Sequence, residues 1–125
     1  MQDIVLLETH LRMLDLQGYG CGNRKKGTDL ITSEICNFAL KNGYKYSREV
    51  YLGLHRPTSN YAGYIDLTIV AQTNRYAIEI DSSNKKWSLQ KLLHAGTIGY
   101  IPIWVRWSVK IKMDVPKQIN LIDLT

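Results

Sequence analysis

Residues 64–81 read YIDLTIVAQTNRYAIEID, two runs of alternating apolar and polar side chains around a short polar segment. Such alternation is typical of β-strands that bury one face. We predict strands over residues 64–71 and 75–81, joined as a tight hairpin by Gln72-Thr73-Asn74. Both strands have an apolar face, and these faces must lie together to form a core, which fixes the parity of the pairing. The apolar faces consist of Ile65, Leu67 and Ile69 on the first strand and Ile78 and Ile80 on the second.

Three acidic residues lie on the opposite face of the predicted hairpin. A two-residue turn at Thr73-Asn74 places Thr68 across from Glu79 and Asp66 across from Asp81, so that Asp66 and Glu79 are diagonal neighbours about 7–8 Å apart. Like charges opposite each other destabilise a sheet. A proton or, better, a divalent cation would neutralise them. We therefore predict an acidic cluster that binds Mg²⁺ or Mn²⁺, with a merely solvent-exposed acidic face as the alternative.

The apolar periodicity of the rest of the chain predicts two helices and a strand before the hairpin, and a helix and a strand after it. The order α-α-β-β-β-α-β indicates an α/β (α+β) fold with a central mixed sheet flanked by helices. We expect one helix over residues 3–17, a second that begins at a cap at Thr28 or Asp29 and stops at Asn42-Gly43, and a third over 87–95. The expected strands cover 44–54 and 101–107, with a short final strand at 119–124. A turn is expected at 55–60.

The composition favours an anionic partner. The chain has 125 residues, which is the length of one domain, and a net charge of +5. Residues 18–27, GYGCGNRKKG, combine four glycines with three consecutive cations and predict a mobile basic loop. We expect a single domain over 1–125, with an N-terminal helix and basic loop over 1–27, a core over 28–107 and a basic tail over 108–125.

Two further features bear on the cellular setting. Cys21 and Cys36 match no zinc-binding spacing. A disulfide between them stays open, but two free thiols in a reducing cytoplasm is the simpler interpretation. No apolar run approaches the roughly 20 residues of a membrane helix, and we read no signal peptide. We expect a cytoplasmic protein with no membrane partner.

The element order and the spacing of the acids resemble the PD-(D/E)xK nuclease superfamily. The resemblance covers about residues 31–107 and is carried by the segments SEICNFALKNGYKYSREV, GYIDLTIV, RYAIEIDSS and LQKLLHAG…IPIWVRW. It implies a restriction-endonuclease-like core over 28–107. It also implies a metal-dependent endonuclease that hydrolyses phosphodiester bonds in DNA, with RNA as the less favoured substrate.

The resemblance assigns roles to individual acids. Glu34 resembles the helix glutamate of the family, Asp66 its metal-binding aspartate, and Glu79 the acid of its (D/E)xK half-motif. Asp66, Glu79 and the Ile80 carbonyl would then hold one Mg²⁺ or Mn²⁺, which polarises the scissile phosphate and activates a water. Glu34 or Asp81 would assist through water or a second ion.

One position departs from the family pattern. The family lysine, two residues after the glutamate, is replaced by Asp81. Some family members take a lysine from the next helix, and here Lys85 or Lys91 would orient the water or balance developing charge. Contacts to the nucleic acid are expected from Arg24, Lys25, Lys26, Lys86 and Gln90.

Two functions therefore stay open on the sequence alone. One is the metal-dependent endonuclease, as a homodimer if it cuts both strands of a duplex. The other is a module of the same fold with a decayed site, which binds nucleic acid or inhibits a protein partner. Asp81 in the lysine position favours the second function, and the persistence of Glu34, Asp66 and Glu79 favours the first. A structural protein of unrelated fold is a third possibility.

Overall fold

The computed structural model of the chain describes residues 2–20, 22–56 and 62–125. These residues form three helices and a five-stranded mixed sheet, which confirms the predicted α+β class. In chain order the elements are α1 (Gln2–Arg12), α2 (Arg24–Lys41), β1 (Lys45–His55), β2 (Ala62–Ala71), β3 (Asn74–Asp81), α3 (Lys86–Thr97), β4 (Ile101–Arg106) and β5 (Asn120–Asp123).

The sheet keeps its strands in sequence order, β1-β2-β3-β4-β5. The pairs β1–β2 and β2–β3 are antiparallel, whereas β3–β4 and β4–β5 are parallel. Helix α3 provides the crossover that two parallel neighbours such as β3 and β4 require. The predicted order of elements is confirmed, including the short final strand.

The hairpin between β2 and β3 has the predicted parity but a different register. It turns at Gln72-Thr73, and Thr68 lies opposite Ala77. The predicted turn one residue later, and with it the pairing of Thr68 with Glu79, is therefore wrong. A shift of two positions leaves every side chain on the same face, so the apolar pattern cannot distinguish the two registers.

The core has two parts, and β2 contributes to both. Leu67 and Ile69 pack in the cluster that contains buried residues of α1 and α2, whereas Ile65 packs in the cluster that contains those of α3. The prediction that all three share one face is wrong for Ile65. The alternation is interrupted at Asp66, where the β2–β3 pairing has ended and Glu49 of β1 has a φ of 53°.

Helix α2 begins earlier than predicted. Arg24 is its first residue, so the three cations at 24–26 form a helical turn rather than a mobile loop, and the predicted caps at Thr28 or Asp29 are wrong. The reason is a tertiary contact at Gly27. A Cβ atom there would lie 2.1 Å from Cη2 of Trp107, so only glycine lets the helix pack this closely on the indole.

The other helices differ from the predictions mainly in length. Helix α1 ends at Arg12 rather than at residue 17, and α3 extends over both ends of the predicted 87–95 segment. The predicted stop at Asn42-Gly43 is confirmed, with Gly43 at a φ of 74°. None of the helices in the described ranges combines the length and the apolar character that a membrane span requires.

Two predictions fall partly outside the described residues. The turn predicted at 55–60 includes residues 57–60, which the structure does not describe, and His55 is the last residue of β1. Cys21 is likewise outside the described ranges, whereas Cys36 is a buried free thiol.

Candidate functional site

An open cavity of about 740 Å³ lies where α2, the antiparallel strands and the start of α3 meet. Its floor holds the three acids singled out from the sequence, of which Glu79 and Asp81 are buried and Asp66 is half-buried. Four exposed cations line it nearer to solvent: Arg48, Arg56, Lys85 and Lys86. We refer to these four residues as the basic rim. An acidic floor beneath a basic rim suits a ligand with both negative charge and bound cations.

Asp66 and Glu79 are interlocked through backbone hydrogen bonds. The N–H of Asp66 donates to Oε2 of Glu79 at 2.7 Å, and the N–H of Ile80 donates to Oδ2 of Asp66 at 2.9 Å. The regular β2–β3 pairing has ended at this level. Backbone N–H groups that no longer pair between two strands need other hydrogen-bond acceptors. Here an N–H group of each strand donates to a carboxylate of the other strand. Asp66 is thus held beside Glu79, its predicted diagonal neighbour, whereas the predicted position of Asp66 opposite Asp81 is wrong.

Lys91 of α3 supplies the positive charge next to this pair. Its Nζ atom lies 2.5 Å from Oε1 of Glu79 and donates to the carbonyl of Tyr64 at 2.8 Å. Only 12% of the Lys91 side chain is exposed. A charged hydrogen bond in such a sheltered place is short and strong. Lys91, one of the lysines considered from the sequence, is thus the cation beside Glu79, whereas β3 carries Asp81 two residues after that glutamate.

The electrostatics of the pair favour binding of a proton or a cation. Burial, with a further contribution from the Asp66 carboxylate, raises the pKa of Glu79 to about 8, and Lys91 offsets only part of this rise. Burial also raises the pKa of Asp66, although the Ile80 N–H and Lys91 oppose it. Two carboxylates whose ionised forms are both penalised form a site where charge must be compensated.

Asp81 is held by β4 rather than directed at the pair. Its Oδ2 accepts a hydrogen bond from Nε1 of Trp104 at 2.8 Å, and its Oδ1 lies 3.6 Å from Nζ of Lys85. The fully buried Arg106 donates to the main-chain carbonyl of Asp81 at 2.8 Å. This arrangement gives the Asp81 carboxylate a structural partner in the β3–β4 layer.

The cavity does not include every residue predicted for the site. Glu34 lies toward α1, with its Oε2 3.0 Å from Nε2 of His10, and does not line the cavity. Helix α2 instead presents Thr28, Asp29 and Thr32 to it. The predicted nucleic-acid contacts Arg24, Lys25, Lys26 and Gln90 are exposed and also lie outside the lining. Of the predicted residues, the structure brings together Asp66, Glu79, Ile80, Asp81, Lys85, Lys86 and Lys91.

Sequence reasoning missed several residues of the cavity. Arg48 and Glu49 reach it from β1, and Arg56 follows the same strand, with its guanidinium 5.1 Å from the ring centroid of Trp87. The i, i+4 spacing of Thr28 and Thr32 beside the apolar stripe of α2 was a usable signal for that helix face. Nothing in the local sequence signalled the positive φ of Glu49.

The available carboxylates fit a hard-cation site with two protein ligands better than a site with three or more. Within residues 2–20, 22–56 and 62–125, no group of three or more His, Cys, Asp or Glu side chains is arranged as a metal site. Asp66 and Glu79 nevertheless adjoin each other. Mg²⁺ is commonly held by one or two carboxylates, with waters and substrate phosphates completing its shell. The pair fits that mode, whereas a shell that also includes Glu34 does not fit.

Comparisons of the chain with protein-family models, with curated proteins and with solved structures gave no significant match in any of the three. Function must therefore be inferred from the side chains of the cavity.

Proposed function

We propose that this protein is a metal-dependent endonuclease that hydrolyses phosphodiester bonds in DNA through a restriction-endonuclease-like core of the PD-(D/E)xK type. One observation carries the proposal: Asp66 and Glu79 interlock at the point where β2 and β3 cease to pair, directly beneath the basic rim. The antiparallel β1-β2-β3 unit, the crossover helix α3 and the parallel strand β4 support it as well.

The charge distribution supports a phosphate-bearing substrate. The basic rim is exposed and can contact phosphates, which position a nucleic acid without specifying its sequence. The acidic floor alone would repel the same phosphates. A divalent cation held by Asp66 and Glu79 would reconcile the two, because it would supply the positive charge that the carboxylates and a phosphate both require.

The residues of the chain have distinct parts in this mechanism. When bound, Mg²⁺ or Mn²⁺ acts as a Lewis acid on the phosphate and activates a water. Asp66 and Glu79 hold the ion, and the Ile80 carbonyl is a further candidate ligand. Lys91, already a donor to Glu79, places an ammonium beside the position where negative charge develops during phosphoryl transfer.

The proposal is tested by incubating the purified protein with supercoiled plasmid and with single-stranded DNA in Mn²⁺, Mg²⁺ or EDTA. We expect cleavage in the presence of metal that is absent in EDTA and in Glu79→Ala. Glu8→Gln is a suitable control because Glu8 is partnered by Arg12 on α1, away from the cavity. Cleavage in EDTA, or undiminished cleavage by Glu79→Ala, would contradict the proposal.

A second function is favoured by the ion pair of Lys91 with Glu79. This contact neutralises the buried carboxylate without a metal, so the acids can persist in a decayed module that only binds nucleic acid or inhibits a protein partner. DNA binding without cleavage under any metal condition would support that alternative. If the protein cuts both strands, a two-fold homodimer with two cavities is the expected arrangement, which a molecular mass in solution would test.

A further inference from the structure

An exposed aromatic surface adjoins the acidic pair. Tyr51 of β1 and Tyr64 of β2 are paired across the two strands, with ring centroids 5.7 Å apart. They are 45% and 47% exposed, and neither belongs to a core cluster. His55 extends the surface, because its ring lies 5.6 Å from that of Tyr51 and within hydrogen-bond distance of the Tyr51 hydroxyl. We refer to Tyr51, His55 and Tyr64 as the aromatic platform.

The platform is connected to the cavity at Tyr64. This residue lines the cavity, and its carbonyl accepts the hydrogen bond from Lys91, the lysine that contacts Glu79. Tyr64 precedes Asp66 by two residues, about 7 Å along an extended strand. The platform therefore adjoins the strand segment that carries Asp66.

Cations lie next to the aromatic rings. Arg56 follows β1 directly after His55 and stacks over Trp87, whose indole approaches the backbone at Gly63, where an added Cβ would lie 2.8 Å away. Trp87 and Arg56 also line the cavity, together with Lys85 and Lys86. Aromatic faces interleaved with cations are the means by which proteins hold single-stranded nucleic acids, with bases stacked on the rings and phosphates contacting the cations.

We infer that the substrate is an unpaired DNA strand, whose bases stack on Tyr51 and Tyr64 while an adjacent phosphate lies at the Asp66–Glu79 pair. This inference rests on the proposed function for the identity of the cleaved bond. An unpaired strand is required because the faces of duplex bases are already occupied by their neighbours, whereas a single strand, a flap or a gap offers free faces to exposed rings.

The inference is tested by binding, without cleavage. A labelled single-stranded oligonucleotide and a hairpin duplex of equal length are titrated with the full chain in Ca²⁺, a hard cation that shares the preference of Mg²⁺ for oxygen ligands, and followed by fluorescence anisotropy. We expect tighter binding of the single strand. Tyr51→Ala and Tyr64→Ala should each weaken single-strand binding by roughly 5- to 150-fold, the range that base–aromatic stacking supplies, and should leave duplex binding unchanged.

Two kinds of control make the result specific. Tyr46→Ala removes a tyrosine of β1 that is 37% exposed but outside the platform, and should bind like the wild type. Tyr51→Phe and Tyr64→Phe keep the ring without the hydroxyl, and should retain single-strand binding. Equal affinity for duplex and single strand, normal binding by both alanine variants, or equal losses in the Phe and Ala variants would overturn the inference.

The outcome separates this inference from the proposed function. Single-strand binding that depends on the platform, in a protein that never cleaves DNA, would overturn the nuclease and leave the platform standing. Metal-dependent cleavage by a protein whose single-strand affinity does not respond to the tyrosine variants would do the reverse.

Discussion

The ammonium of Lys91 on α3 and the carboxylate of Glu79 on β3 form a sheltered ion pair, with 2.5 Å between Nζ and Oε1. Glu79 is 1% exposed, so its charge has almost no solvent to stabilise it. The same ammonium holds the carbonyl of Tyr64. One side chain of the crossover helix thus fixes both the acid of β3 and the strand that carries Asp66.

Replacement of this lysine should destabilise the metal-free protein. Above pH 8, where Glu79 is ionised, Lys91→Met leaves a buried carboxylate and a backbone carbonyl without their donor, and loss of one partner of a buried pair costs about 3–5 kcal/mol. Denaturant unfolding in EDTA measures the change. Lys86→Met, at an exposed cation of the basic rim, is the matched control and should change the free energy of unfolding by no more than about 0.5 kcal/mol. Similar values for the two variants would contradict the assignment.

The raised pKa of Glu79 predicts how stability depends on pH. Its pKa is about 8 in the folded protein against an ordinary value of 4.5, so the folded state binds more protons between these limits. The stabilisation of the folded state by the protonated Glu79 is fully present below pH 4.5 and is lost as the pH rises through 8. In EDTA the unfolding temperature should therefore fall more between pH 5 and pH 8 in the wild type than in Glu79→Gln, which is uncharged throughout. Parallel profiles would show that Glu79 ionises normally.

A lysine at position 81, as in the superfamily that the sequence resembles, should destabilise the protein. In Asp81→Lys, an ammonium would replace the acceptor of the buried Trp104 indole and lie near the fully buried Arg106. We expect a loss of about 3–5 kcal/mol in the free energy of unfolding. Asp81→Asn retains an oxygen acceptor for Trp104 and should lose less. A stable and more active Asp81→Lys protein would indicate that position 81 is catalytic after all.

The approach of α2 to the sheet depends on Gly27. Gly27→Ala would place a methyl group against the indole of Trp107, which donates to Thr28 at the edge of the cavity. Overpacking of this kind costs about 1–3 kcal/mol. Gly96→Ala is the control, since the nearest atom to its added Cβ would be 3.8 Å away, and it should gain up to about 1 kcal/mol from helix propensity. Thermal unfolding of both variants distinguishes packing from propensity.

The elements and their order could be predicted from the sequence because the apolar periodicities are strong and local. The register of the hairpin could not, because Gln72-Thr73 is not a distinctive turn sequence and registers two residues apart bury the same faces. The start of α2 could not either. Four glycines and three cations favour a loop locally, and the contact of Gly27 with Trp107 is a tertiary feature.

Some features of the candidate site could likewise be predicted from the sequence, and others could not. The alternation of side chains predicted that Asp66 and Glu79 are neighbours, but not the backbone hydrogen bonds by which each strand uses a carboxylate of the other. Glu34 is separated from Asp66 and Glu79 because α2 is rotated so that Glu34 contacts His10 of α1. No pattern in a single sequence predicts that rotation. The identity of Lys91 rather than Lys85 as the partner of Glu79 required the position of α3, because both lysines are compatible with the spacing along the chain.

We propose that Asp66 and Glu79 together bind the divalent cation on which catalysis depends, and calorimetric titration with Mn²⁺ measures that binding. We expect one Mn²⁺ per chain, with affinity reduced by about tenfold or more in Asp66→Asn and in Glu79→Gln. Glu34→Gln should bind Mn²⁺ like the wild type, since Glu34 does not line the cavity. No Mn²⁺ binding by the wild type, or undiminished binding by both carboxamide variants of the pair, would rule out a metal site at Asp66 and Glu79.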